Sequence, residues 1–255
     1  MGQITVATWN LRRPSRRPVD RTQRIQSALS AVAADIWVLT ETRASLVPSR
    51  GYYPTHSKIH QDRRPDDERW VSIWSRWPGT ALAEDCWSAT VLIESPLGKL
   101  IVHGVVLPYM HEPAPGKAPV WSRFMEELGH QRNRWMRTRM EYPEIPLVVA
   151  GDLNQTLGGS RRYGRPETRD ALFQALSDAE LTCQTTGDEP TGQLRHIHLV
   201  DHICSTNHLN ASGIYNVWGP RTADGLSMSD HAGIAIELTS ADRPIADHDA
   251  TAARN

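Results

Sequence analysis

The sequence predicts an α/β layered sandwich built as one domain. Many short, β-branched apolar runs stop abruptly on a polar residue, and only three segments show helical periodicity. The strand-like runs are also apolar along most of their length, so the sheets they build need cover on both faces. At 255 residues the chain is long enough for one sizeable core, and no composition shift or linker divides it.

Residues 4–9 read as a first strand that ends at Asn10. After Asp20, which suits an N-cap, Ile25, Leu29 and Val32 recur at helical spacing, so a helix joins this strand to the next. Residues 35–40 form that second strand and end at Glu41. The runs 69–78, 88–95, 99–108, 195–205 and 232–238 are strand-like. A second helix falls within 120–140, carrying Phe124, Leu128 and Trp135, and a third starts near Pro166 and runs through Leu172 and Leu176. Between these helices, residues 146–150 form a short β-branched strand bounded by Pro146 and Gly151, and Asp152 and Asn154 project from its end. An extended path through 152–154 would alternate its side chains, placing Asp152 and Asn154 on one face with Leu153 turned away. The domain is expected to span 1–238; the tail 239–255 has little apolar content and is expected to be disordered.

Composition excludes several classes. The net charge of −1 offers no bulk attraction for nucleic acid, although a local basic patch remains open. Cys86, Cys183 and Cys204 are widely spaced and form no CxxC pair, against a disulfide framework or a cysteine-built zinc site. A reducing, cytoplasmic setting and no membrane partner are the expectation, because no run approaches the length of a bilayer span.

Asn10, Glu41, Asp152, Asn154, Asp201 and the Asp230–His231 pair all stand beside the ends of strand-like runs. One such residue is ordinarily a turn former or a cap. Six independent caps are less economical than one site, because strand ends along one edge of a layered fold converge.

The order of the motifs TWNL (8–11), LTETR (39–43), VSIWSRWP (71–78), AGDLNQT (150–156), VDHI (200–203) and SDHAGI (229–234) resembles the endonuclease/exonuclease/phosphatase superfamily over nearly the whole chain. The resemblance implies a DNase I-like, four-layered α/β sandwich, with two central, mainly antiparallel sheets flanked by helices, and Mg²⁺- or Mn²⁺-dependent cleavage of a phosphate ester. It makes Glu41 the principal metal ligand, helped by Asn10 and Asp230, with the hard oxygen donors that Mg²⁺ prefers. Asp152 would orient or deprotonate the attacking water and Asn154 would hold a phosphate oxygen. His231, oriented by Asp201, would donate to the same phosphate, and the neighbouring carboxylate favours its cationic form.

Two departures stand out. Arg12 occupies a position where relatives that cut at abasic sites carry an acid, and the family's mid-chain phosphate contact has no in-register match, leaving Tyr109 and His111 as candidates. His103, inside a strand, reads as a satisfied core histidine.

Substrate choice falls to the loops. Residues 11–24 carry six arginines, including Arg12, and residues 158–169 add four, including Arg161 and Arg162. Beside the site they suit phosphate contacts, against the alternative of a solvated charged face. The expected substrate is a nucleic acid or nucleotide phosphodiester, with DNA and RNA both open. A phosphatase, or an inositol-phosphate or phospholipid hydrolase of the same fold, is the alternative. Two further readings are a non-catalytic binding module and a zinc hydrolase of the metallo-β-lactamase type built on HIHLVDH (196–202). The zinc spacing is one residue too long, which in a strand sets Asp201 opposite His196 and His198. Oligomeric state is not legible in the sequence.

Overall fold

The computed structural model describes residues 2–14, 19–59, 67–111, 120–158, 162–186 and 197–241. Two six-stranded sheets pack face to face with helices on both outer sides, giving four layers. The first sheet comprises β1 (Gln3–Asn10), β2 (Ile36–Arg43), β3 (Tyr53–His56), β4 (Glu68–Ser75), β11 (Leu209–Trp218) and β12 (Gly233–Ser240), in the order β11-β12-β1-β2-β4-β3. The second comprises β5 (Gly79–Glu84), β6 (Ser88–Ser95), β7 (Gly98–Val106), β8 (Leu147–Asp152), β9 (Leu181–Cys183) and β10 (Asp201–Thr206), in the order β5-β6-β7-β8-β10-β9. Each sheet is antiparallel except at its centre, where β1 runs parallel to β2 and β7 parallel to β8. A parallel pair needs a crossover, and α1 (Val19–Val32) and α2 (Ser122–Glu141) supply the two.

Side-chain alternation builds the layers. Ile4, Val6, Ile36, Val38, Val102, Val148, Ala150, Ile203 and Ile236 point between the sheets. The intervening Ala7, Trp9, Trp37 and Leu39 point outward, under Ile25 and Leu29 of α1. On the other outer face Ile101, Val105 and Val149 lie under Phe124, Leu128 and Trp135 of α2 and Leu172 and Leu176 of α3 (Pro166–Asp178). His103 is a core histidine as expected, its ring bonded to the Thr90 hydroxyl at 2.8 Å and the Gln131 carboxamide at 2.9 Å.

Several boundaries differ from the sequence reading. α1 begins at Val19, so Asp20 lies in its first turn rather than before it. β2 does not end at Glu41 but continues to Arg43, because β4 pairs with it as far as Glu68. The strand expected over 195–205 starts only at Asp201, opposite Asp152, where its ladder partner β8 ends. β12 carries the last strand two residues past the expected domain end at 238, with Thr239 paired to Gln3 and Ser240 to Leu209. The remainder of the tail, 242–255, lies outside the described residues. No helix among the described residues is long and apolar enough to cross a membrane.

Candidate active site

The alternation that builds the core also places the polar groups at its mouth. Asn10 continues the inward-facing series of β1, Asp152 that of β8, and Asp201 that of β10. Asp201 and Asp152 sit directly opposite each other in the ladder. Asn10 bridges the two sheets: its Nδ2 donates to Asp152 Oδ2 at 2.9 Å and to Glu41 Oε1 at 3.1 Å.

Glu41 reaches this spot against its strand's alternation, which would put it on the outer face with Trp37 and Leu39. It has φ 45°, a left-handed backbone that turns its carboxylate inward while the β2–β4 register continues on both sides. Such a conformation costs about 1–3 kcal/mol in a non-glycine residue and persists only where its surroundings enforce it.

Asn154 also arrives by a turn. Its φ is 49° and its N–H donates to Asp152 Oδ1 at 2.9 Å, so the extended path expected through 152–154 is replaced by a turn closed on the aspartate. The two side chains still converge: Asn154 Nδ2 donates to Asp152 Oδ2 at 3.0 Å and to the Leu107 carbonyl at 2.7 Å. Gly151 makes the approach of β8 to β7 possible, since it has φ 142° and a Cβ there would stand 1.9 Å from the Val105 carbonyl oxygen.

The last motif is anchored by Ser229, whose hydroxyl donates to the Asn10 carbonyl at 2.6 Å and accepts from the His231 N–H at 3.2 Å. The Trp9 indole donates to the His231 carbonyl at 3.0 Å. His231 Nδ1 then meets Asp201 Oδ2 at 2.7 Å. Asp201 is 1 % exposed and its Oδ1 has no hydrogen-bond partner among the described residues, so much of its charge bears on the imidazole.

Electrostatics separate the two central groups. Burial works against an imidazolium at His231, but the carboxylates of Asp201 and Asp152 outweigh it and raise the pKa to about 10. Burial pushes Asp152 up to about 7; the His231 charge opposes this, while Asp201 across the ladder adds to it. One group is thus held as a proton donor near neutral pH and the other is poised to accept a proton.

Glu41, Asp152, Asn154, Asp230, His231 and Tyr109 line one cleft of about 560 Å³. The structure therefore brings the expected metal, water and phosphate groups together. Tyr109 is 43 % exposed at the rim, whereas His111 is exposed and does not line the cleft. Arg162 is exposed away from it, and Arg161 lies outside the described residues.

The arginine-rich loop after Asn10 behaves differently from expectation. Arg12 pairs with Asp230 at 3.2 Å, and Arg13 pairs with Glu41 at 2.9 Å and lies 4.9 Å over the Trp70 ring. Arg21 and Arg24 bond to the backbone carbonyls of Met228 and Ser227. These four described arginines thus neutralise carboxylates or tie loops, leaving Arg12 and Arg13 as the two that reach the cleft. Arg13 and Tyr163, both cleft-lining, carried no individual signal in the sequence beyond membership of arginine-rich loops.

A divalent cation fits this donor set. Glu41 and Asp230 offer hard oxygens, their side chains 20 % and 50 % exposed, and Asn10 Oδ1, which accepts from the Arg12 N–H at 2.8 Å, keeps a second lone pair. Asp152, Asp201 and His231 also place ligand atoms within 4.8 Å of one another, but a protonated His231 bonded to Asp201 has no lone pair for a metal. The histidines of the HIHLVDH run do not gather into a zinc site among the described residues. His202 points to the opposite face, bonded to Thr185 at 2.9 Å and the Gln155 carbonyl at 3.0 Å; His198 is exposed, and His196 is outside the described residues.

Comparison with solved structures returns the same architecture. The catalytic domain of human Nocturnin with bound sulfate superposes with TM-score 0.64 at 16 % identity, covering 94 % of both chains. Truncated Caenorhabditis elegans TDP2 gives 0.63 at 15 % identity, covering 93 % of this chain and 98 % of that one. The endonuclease domain of TRAS1, a telomere-specific non-LTR retrotransposon, gives 0.60 at 17 % identity over 94 % and 99 %. No curated protein sequence matches the chain. The family model described as "Endonuclease/Exonuclease/phosphatase family" matches residues 7–231, from before Asn10 through His231, and the chain belongs to that family.

Proposed function

We propose that this chain is a divalent-cation-dependent hydrolase of phosphodiesters, acting on a nucleic acid or a nucleotide. Members of the family hydrolyse phosphoester bonds and generally use a divalent metal. The observation that carries the reading is the convergence on one cleft of Asp152, the Asp201-bonded His231 and the carboxylates of Glu41 and Asp230. Among the structural neighbours, the TRAS1 endonuclease domain supports the nucleic-acid side.

Glu41, Asp230 and Asn10 would hold the cation. When bound, it supplies positive charge to the phosphate and to the departing oxygen. Asp152 takes a proton from the attacking water, and the Asn10 and Asn154 amides fix its carboxylate in line with the cleft. The protonated His231 donates to a non-bridging oxygen as charge builds on it, and Asn154 joins it by redirecting the amide N–H that otherwise bonds the Leu107 carbonyl at 2.7 Å. Asp201 keeps His231 charged and fixes its orientation through Nδ1, leaving Nε2–H for the phosphate. Arg12, at the cleft wall, is placed to share its guanidinium between Asp230 and a phosphate oxygen.

The test is hydrolysis of bis-p-nitrophenyl phosphate with Mg²⁺ or Mn²⁺ by wild type, Asp152→Ala and His231→Ala. Both variants are expected to lose activity by about 10²-fold or more. Equal release from all three proteins would refute the assignment, and activity that follows zinc instead of magnesium would favour a zinc hydrolase.

A further inference from the structure

A second, smaller recess adjoins the main cleft. It has a volume of about 310 Å³ and is walled by Tyr163, Ile197, His198 and Val200. Asn154, Tyr163, Asp230 and His231 line both this recess and the 560 Å³ cleft, so Tyr163 stands on the wall between them, while Ile197, His198 and Val200 belong to the smaller recess alone. Asn154 and His231 are the residues assigned above to the phosphate, so the two recesses meet where the phosphorus would sit.

The wall of the smaller recess has a definite chemistry. Tyr163 is fixed from behind: its N–H donates to the Thr156 hydroxyl at 2.8 Å, its carbonyl accepts from the Thr156 N–H at 3.1 Å, and its ring meets Trp121 edge-on with centroids 5.8 Å apart. The His198 ring lies 6.1 Å from the Tyr163 ring and tilted by 42°. Ile197 and Val200 complete an apolar floor, and no lysine or arginine among the described residues lines the recess. Two aromatic rings and two aliphatic side chains suit a flat, uncharged group, because aromatic faces stack and neither aliphatic chain offers a polar partner. A phosphate monoester has one organic arm and fills one recess; a diester has two.

We propose that the smaller recess is a binding subsite for a flat aromatic or heterocyclic ester arm, with Tyr163 and His198 as its stacking residues. The site then selects diesters bearing such an arm over monoesters and small alkyl esters. This rests on the phosphodiester reading above and adds to it which residues choose the substrate.

Isothermal titration of the full chain, in Mg²⁺, with diphenyl phosphate and with dimethyl phosphate tests it. Diphenyl phosphate places an aryl group in each recess whichever arm departs. It is expected to bind at least about tenfold more tightly than dimethyl phosphate, and Tyr163→Ala and His198→Ala are each expected to shrink that ratio by about five- to tenfold. Tyr163→Phe keeps the ring and is expected to keep the ratio. His198 is exposed, so its variant guards against a folding defect at Tyr163. If both esters bind and compete with hydrolysis but the ratio is the same in wild type and both alanine variants, the subsite is refuted and the phosphodiester reading stands. If neither ester binds and no diester is hydrolysed, both fall together.

Discussion

Asp152→Asn is expected to stabilise the metal-free protein at alkaline pH while abolishing turnover. Asp152 is 1 % exposed, faces Asp201 across the ladder, and has its pKa raised from 3.8 to about 7, with burial the first cause. The sign follows from proton binding. Between pH 3.8 and 7 the folded state keeps a proton that the unfolded state has released, so stability falls as pH rises through that window and levels off above it. At about 1.4 kcal/mol per pH unit, the full effect above pH 7 is about 4 kcal/mol, and the part expressed between pH 5 and pH 8 is roughly 2–3 kcal/mol. The asparagine carries no such dependence. It does disturb the acceptor that serves the Asn10 and Asn154 amides, a cost of about 1–2 kcal/mol that is the same at every pH. Urea unfolding in EDTA at pH 5, 6, 7 and 8 should therefore show the variant gaining on wild type by roughly 2–3 kcal/mol across the series. Parallel curves for the two proteins would mean that Asp152 carries no raised pKa, and the general-base assignment would lose its physical basis.

Asp201→Asn removes the charge that holds His231 protonated, so the alkaline limit of kcat/KM, set near pH 10 in the wild type, should move several-tenths of a unit or more towards neutrality; an unmoved limit would detach Asp201 from His231. Gly151→Ala forces a Cβ against the Val105 carbonyl at φ 142° and is expected to destabilise by about 3 kcal/mol or more in thermal melts, whereas a change within 0.5 kcal/mol would show that β7 and β8 can part freely. Arg13→Ala releases one oxygen of Glu41 and is expected to tighten Mn²⁺ binding by about two- to fivefold, the scale of a partly exposed ion pair; calorimetry showing weaker binding would place Arg13 among the groups that support the cation.

The interior of the fold was legible because period-two burial speaks plainly where both faces of a strand are covered. The four strands without a sequence signal, β3, β5, β9 and β11, are the four edge strands of the two sheets. An edge strand buries less. β5 is exposed along most of its length, β3 contains Pro54, β9 has three residues, and β11 is broken by register shifts around Gly213. The site followed the same rule. Asn10, Asp152 and Asp201 lie where simple alternation puts them. Glu41 and Asn154 reach the same point through left-handed backbone conformations that no hydrophobic pattern encodes; the sequence marked them by their places at strand ends and in the order of motifs, and the extended path expected for Asn154 is a turn instead. Tyr163 was hidden for another reason: its role comes from the recess it shares with His198, whose ring it meets thirty-five positions away in the chain.

The central claim is that Glu41, Asn10 and Asp230 form one divalent-cation site beside the Asp152–His231 pair. Electron paramagnetic resonance of Mn²⁺ titrated into wild type and Glu41→Gln tests this without relying on turnover. The account predicts stoichiometric, Mg²⁺-displaceable binding in the wild type and affinity at least about tenfold weaker in the variant, on the scale of a lost charged ligand. Equal Mn²⁺ affinity in the two proteins would contradict it.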